Sequence, residues 1–190
     1  VGLKYVTYEK GSNYYSFDLF ENSLPHSIVT RQKGMDDYWA SVDEEKGKEI
    51  SEKWFYDKIK GQHTNDRSYL GKMKEGKLPD NFDESKINIV IFNSSEDEFK
   101  AIREWQNTLY YHQNDAINDI VSHFENNENF HFYLRSHPNL ELVDNQQTKG
   151  IKEMKYKNLT VIEPSSDVNS YTLMQASNKV VGFGSSMLIE

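Results

Sequence analysis

Between Ile87 and Phe183 the chain alternates four short apolar runs with helix-compatible stretches, and this alternation constrains the fold more than any other feature of its 190 residues. The runs are Ile87-Asn-Ile-Val-Ile-Phe92, Phe130-His-Phe-Tyr-Leu134, Leu159-Thr-Val-Ile162 and Lys179-Val-Val-Gly-Phe183. They are rich in β-branched and aromatic residues and lack a clean polar alternation, which is the pattern of strands covered on both faces. From Asn114 to Glu125, Ile117, Ile120, Val121 and Phe124 share one helical face. Segments near Gln147 to Tyr156 and Val168 to Ala176 also suit helices, and Ser185 is placed to cap the next one. Four such alternations imply a parallel sheet with crossover helices, and therefore an α/β, Rossmann-like domain over residues 86–190.

Residues 1–85 read as a mixed N-terminal segment and linker. Tyr5, Tyr8, Tyr14, Tyr15, Phe17 and Phe20 crowd together without a period that assigns a fold, followed by Trp39 and a charged stretch. From Val42 to Ile59 the spacing of Val42, Ile50, Trp54, Phe55 and Ile59 predicts an amphipathic helix. The polar stretch from Lys60 to Ser85, punctuated by Gly61, Gly71, Gly76 and Pro79, predicts a connection. The chain starts without methionine and stops at Glu190 where a helix has just begun, so it reads as a piece of a longer protein, its Rossmann-like domain cut short.

Thirty acidic against 22 basic side chains give a formal charge of -8, which argues against a general nucleic-acid or anionic-membrane binder. With no cysteine there is neither a disulfide framework nor a thiolate zinc site. No apolar run approaches the roughly 20 residues that span a bilayer, and the first residues lack the core of a secretory signal. The expected location is the cytoplasm, with any membrane association peripheral, at the inner face.

In an open parallel sheet, ligands gather beyond the carboxyl ends of the strands. There this sequence carries Asn93-Ser-Ser-Glu-Asp-Glu, Arg135-Ser-His-Pro-Asn139, Glu163-Pro-Ser-Ser-Asp-Val and Gly184-Ser-Ser186. Gly184 removes the side chain that would keep a phosphate from the backbone, so Gly184, Ser185 and Ser186 form a candidate phosphate cradle. His137, held extended by the following proline, can donate to a phosphate oxygen, and Arg135 adds charge. Taken singly, each serine, including Ser94 and Ser95, reads as a helix cap; it is their shared position at strand ends that points to a site. Glu96, Asp97 and Glu98 have a spacing that could hold magnesium, but the first turn of a helix accounts for them and no metal is expected. His112, His123 and His131 lack ligand spacing. The early tyrosines and tryptophans could stack on sugar rings or serve a core.

The strings Arg135-Ser-His-Pro-Asn139, Val161-Ile-Glu-Pro164, Ser170-Tyr-Thr-Leu-Met-Gln-Ala176 and Val180-Val-Gly-Phe-Gly-Ser-Ser186, with Glu190 and Phe92-Asn-Ser-Ser-Glu-Asp-Glu-Phe99, resemble the capsule polysaccharide biosynthesis glycosyltransferases of bacteria. The resemblance covers the chain from about Ile87 onward. It implies a two-domain GT-B enzyme whose carboxyl-terminal Rossmann-like domain holds a nucleotide-sugar donor without cofactor or metal, residues 1–85 being the edge of an acceptor-side domain. The implied acceptor is a glycan or lipid-linked glycan, and the implied setting the membrane surface or a polysaccharide-assembly complex. As in bacterial Kdo and sialic acid transferases, which have His-Pro and Ser-Ser motifs, His137, Ser185 and Ser186 would contact the nucleotide and phosphate in an inverting transfer. The general base has no matching motif; Glu9, Asp36 and Asp37 are available carboxylates. Polyol-phosphate transfer of the teichoic-acid type, nucleotide-sugar epimerisation, and non-catalytic nucleotide or glycan binding are the alternatives.

Overall fold

The computed structural model describes residues 2–10, 17–25, 27–60, 72–98, 100, 106 and 109–188. Tyr14, Tyr15, Gly61, Gly71, Phe99 and Glu190 lie outside the described residues. The chain divides into two compact units, Val1–Gly71 and Lys72–Glu190.

The first unit holds an antiparallel hairpin, β1 (Val6–Lys10) and β2 (Phe17–Glu21), and two helices, α1 (Ile28–Trp39) and α2 (Glu44–Ile59). Ser27 caps α1 by accepting from the Thr30 amide, and Asp43 caps α2 by accepting from the Lys46 amide. The helix expected over Val42 to Ile59 is therefore α2, starting two residues later because Asp43 is the cap. Arg31 ties α1 to the hairpin through Glu9 and, at 2.9 Å, Asp18, with its guanidinium over the Phe20 ring. Among the described aromatics of the early cluster Phe20 is buried, whereas Tyr5, Tyr8, Phe17, Tyr38 and Trp39 are exposed. That is why no period could be read: these side chains do not line one core face.

The second unit is an α/β layer structure. Strands β3 (Ile87–Phe92), β4 (Phe130–Arg135), β5 (Leu159–Ile162) and β6 (Lys179–Gly182) form one parallel sheet in the order β5-β4-β3-β6. Helices α3 (Gln113–His123), α4 (Gln146–Glu153) and α5 (Ser170–Ala176) connect them. Alternate strand residues supply two cores. Ile89, Ile91, Phe132 and Leu134 pack with Ile117 and Val121 of α3 and Ile151 of α4, while Val90, Phe92 and Tyr133 pack with Leu173 of α5 and with Leu78 and Phe82. The latter two come from the stretch read as a connection. Residues 72–86 instead lie along the sheet: Lys74 and Lys77 both pair with Asp167, and Phe82 stacks on Tyr133 at 5.2 Å. Burial of both faces explains the continuous apolar runs.

His131, on β4, is buried, with Nε2 2.7 Å from the Thr160 hydroxyl. Burial lowers its pKa, with Lys86 acting the same way and Asp83 opposing. The unfolded chain then takes up this proton first as pH falls below about 6.5, so the stability contribution is complete above that value and is lost as pH drops toward the folded pKa. His137 is shifted in the same direction. The thermal midpoint is expected to fall between pH 7 and pH 5, with a shallower slope in His131→Asn; a flat profile in the native chain would contradict this.

Candidate functional site

The strand order places the first strand of the sheet inside, the next two to one side and the fourth to the other, so the direction of winding reverses between β3 and β6. This is the order of the first four strands in doubly wound nucleotide-binding sheets, where the reversal opens a crevice beyond the strand ends. The arrangement is consistent with a Rossmann-like fold.

The loop after β3 is joined to the end of β6 on one side and to the loop after β4 on the other. Phe183 continues β6 by donating its amide to Phe92 O at 3.0 Å, and the Ser94 hydroxyl donates to Phe183 O. Ser94 also accepts from Gln113 Nε2 at 2.9 Å, and its carbonyl accepts from Gln147 Nε2 at 2.8 Å, so β3, β6, α3 and α4 are bound together at one buried serine. Across the sheet, Asn93 Oδ1 accepts the His137 amide at 2.8 Å, joining the end of β3 to the end of β4. Asn93 is 1 % exposed and Ser136 2 %, and Asn93 Nδ2 and the Ser136 hydroxyl are both buried with no hydrogen-bond partner. Two orphaned polar groups on neighbouring strand ends are costly unless something supplies their bonds.

Gly184 has φ +67°, a conformation natural to glycine, and is exposed. The helix expected after it begins as a 3-10 turn, Ser186–Leu188, which Ser185 caps by accepting from the Met187 amide at 3.3 Å. Gly182 lets this turn fold back, since a Cβ there would meet Leu188 Cγ at 2.5 Å. Ser186 is exposed.

His137 has φ -61° and ψ 136°, the extended backbone that Pro138 demands, and caps the 3-10 turn Pro138–Leu142. Its Nδ1 accepts from the Asn139 amide at 3.2 Å, so the neutral ring carries its proton on Nε2 and is a donor there. Burial lowers its pKa, with Glu98 and Asp97 opposing, so the neutral form prevails at pH 7.

Arg135, expected to add charge for a phosphate, spends its donors inside the fold. It is 5 % exposed, and its donors go to Glu163 O, to Ser166 O at 3.2 Å and to the Ser170 hydroxyl at 3.3 Å. Desolvation brings its pKa down to about 10. It thus fixes the loop between β5 and α5, beside a cavity of about 150 Å3 whose wall includes Ser136, Leu140, Glu163, Pro164 and Ser165. Ser95 is fully buried and donates to Asp97. The neighbouring carboxylates are also engaged: Glu96 Oε1 accepts the first amide of α3, from Gln113, at 2.6 Å, and Glu98 accepts from Asn139 Nδ2. Among the described residues no cluster of His, Asp or Glu has the arrangement of a metal site.

Of the carboxylates considered as bases, Glu9 is held by Arg31, Asp36 accepts from Gln32 Nε2 at 2.8 Å, and Asp37 pairs with Lys33. None is singled out by its setting. Asn93 and Ser136 lie inside the strand-end motifs, but the sequence assigns them no role of their own, because only strand register makes them neighbours. Among the described residues no helix is long and apolar enough to cross a membrane. No family model, no curated protein and no solved structure matches this chain.

Proposed function

We propose that this chain is the nucleotide-sugar-binding part of a GT-B glycosyltransferase that extends a bacterial capsule or surface polysaccharide at the cytoplasmic face of the membrane. The observation that carries the reading is that the Asn93–Ser95 loop at the β3/β6 switch is bonded on one side to Phe183, just before Gly184–Ser186, and on the other to His137, with the donors Asn93 Nδ2 and Ser136 Oγ left unpartnered beside it. Backbone donors at Gly184 to Ser186 and the Nε2–H of His137 would receive the donor's phosphates. The 150 Å3 cavity past Ser136 is of a size for one planar ring of the nucleoside. Arg135, Ser94 and Ser95 act on this site by holding its loops. Charge accumulates on the leaving phosphate during transfer, and fixed donors there lower the barrier.

Titration with CMP, UDP, GDP and CDP, followed by melting, tests the reading. Saturating binding to the folded state alone contributes about 2.7 kcal/mol at a hundredfold excess over Kd, or roughly 5–10 °C for a chain of this size. A rise with one nucleotide identifies the donor class; a midpoint that no nucleotide moves overturns the reading. A rise with CDP alone, accompanied by turnover of a CDP-polyol, would replace sugar transfer by polyol-phosphate transfer.

A further inference from the structure

Between the N-terminal half of α3 and the length of α4 lies a second recess of about 400 Å3, within the range of small-molecule sites. Its wall is polar and includes Glu96, His112, Asn114, Asp115, Asn118 and Gln146. Glu96 is 9 % exposed and is doubly used: Oε1 caps α3, and Oε2 lies 3.1 Å from His112 Nδ1. With the carboxylate as acceptor at that distance, the neutral ring carries its hydrogen on Nδ1 and keeps the lone pair on Nε2. The Lys100 ammonium, 3.5 Å from the same Nδ1, is the weaker contact and does not reverse this. The outcome is an imidazole with a fixed acceptor on the wall of a carboxamide-lined recess. His112 makes no side-chain bond to its own helix, so capping does not account for it.

The other walls match. Gly150 gives Asn114 room to reach across to α4, since a Cβ there would meet Asn114 Nδ2 at 2.5 Å, and that nitrogen donates to Gln147 O at 2.8 Å. Asn114 is 91 % buried and its Oδ1 has no partner. Among the described residues the carboxylates of Glu96, Asp115 and Glu153 outnumber the ammoniums of Lys149 and, beside His112, Lys100, a balance that disfavours phosphate. Neighbouring carboxylates and carboxamides suit vicinal hydroxyls, each of which gives one hydrogen and accepts another.

We propose that this recess is a carbohydrate-binding subsite in which His112 Nε2 accepts a hydrogen bond from a sugar hydroxyl. It would give part of the acceptor a contact on the nucleotide-binding side, opposite the acceptor-side domain, and rests on the transfer proposed above for its role, though not for binding.

The test is saturation-transfer NMR of the intact chain with glucose, galactose, N-acetylglucosamine and lactose at millimolar concentration and without nucleotide, alongside long-range nitrogen spectra of the histidine rings. At least one sugar is expected to receive saturation and to shift the Nε2 resonance of His112, and His112→Ala should weaken it tenfold or more. Glu96→Gln keeps an acceptor for the Gln113 amide but lets Nδ1 accept, moving the ring proton to Nε2; it should weaken the sugar while the melting curve confirms a folded chain. Absence of saturation transfer from all four, or binding unchanged in both variants, overturns the subsite. Sugar binding with no response to nucleotides would leave the subsite standing and remove the transferase reading; the reverse pattern would remove the subsite alone.

Discussion

Phe132→Ala is expected to destabilise the second unit by about 3–5 kcal/mol, the range for deleting a buried aromatic side chain. The side chain is fully buried on β4, which has β5 on one side and β3 on the other, so the backbone around it is fixed by two ladders and cannot collapse into the void. Its ring lies 6.0 Å from that of Phe124 and packs in the core that α3 and α4 complete. Domains of this size have about 5–15 kcal/mol in all, so the loss takes a large share. Chemical denaturation should show a lower midpoint with an unchanged slope. A loss below about 1 kcal/mol would mean that the two-faced core is looser than its burial indicates.

The same burial explains what the sequence could reveal. Ile87–Phe92 and Phe130–Arg135 read as strands because helices cover both of their faces, and such strands need no polar alternation. Helix α3 was readable because Ile117 and Val121 recur at helical spacing. The hairpin at Val6–Lys10 and Phe17–Glu21 was not, because Tyr8, Phe17 and Leu19 are exposed and periodicity therefore carries no sign of an interior. Residues 72–86 look like linker since Leu78 and Phe82 are isolated among polar residues, yet those two side chains close the second core.

At the candidate site, local signals and tertiary placement separate cleanly. Gly184 and the His137-Pro138 pair announce their backbone conformations in the sequence itself, through positive φ and a pre-proline extension. Arg135 does not announce that its guanidinium turns inward to the β5–α5 loop, since its acceptors are carbonyls at 163 and 166 that only the sheet order brings near. The Glu96–His112 pair is 16 residues apart and has no motif; the carboxylate meets the ring because both flank the start of α3.

His137→Ala is expected to lower donor turnover by about 10²–10³-fold, the loss typical of removing one donor to a developing oxyanion. The fold should survive. The loop is anchored by the main chain, through the His137 amide on Asn93 Oδ1, and the variant keeps both that amide and Pro138. The substitution removes the Nδ1 acceptor for the Asn139 amide, a cap whose removal costs about 1 kcal/mol. Because the leaving phosphate gains charge only as the glycosidic bond breaks, kcat should fall far more than KM rises. His137→Asn separates the two roles, since its Oδ1 can cap the turn while its Nδ2 points differently: stability should return and turnover should not. Native turnover in His137→Ala would remove the histidine from the chemistry, and a collapse of the melting midpoint would show that its ring serves the loop.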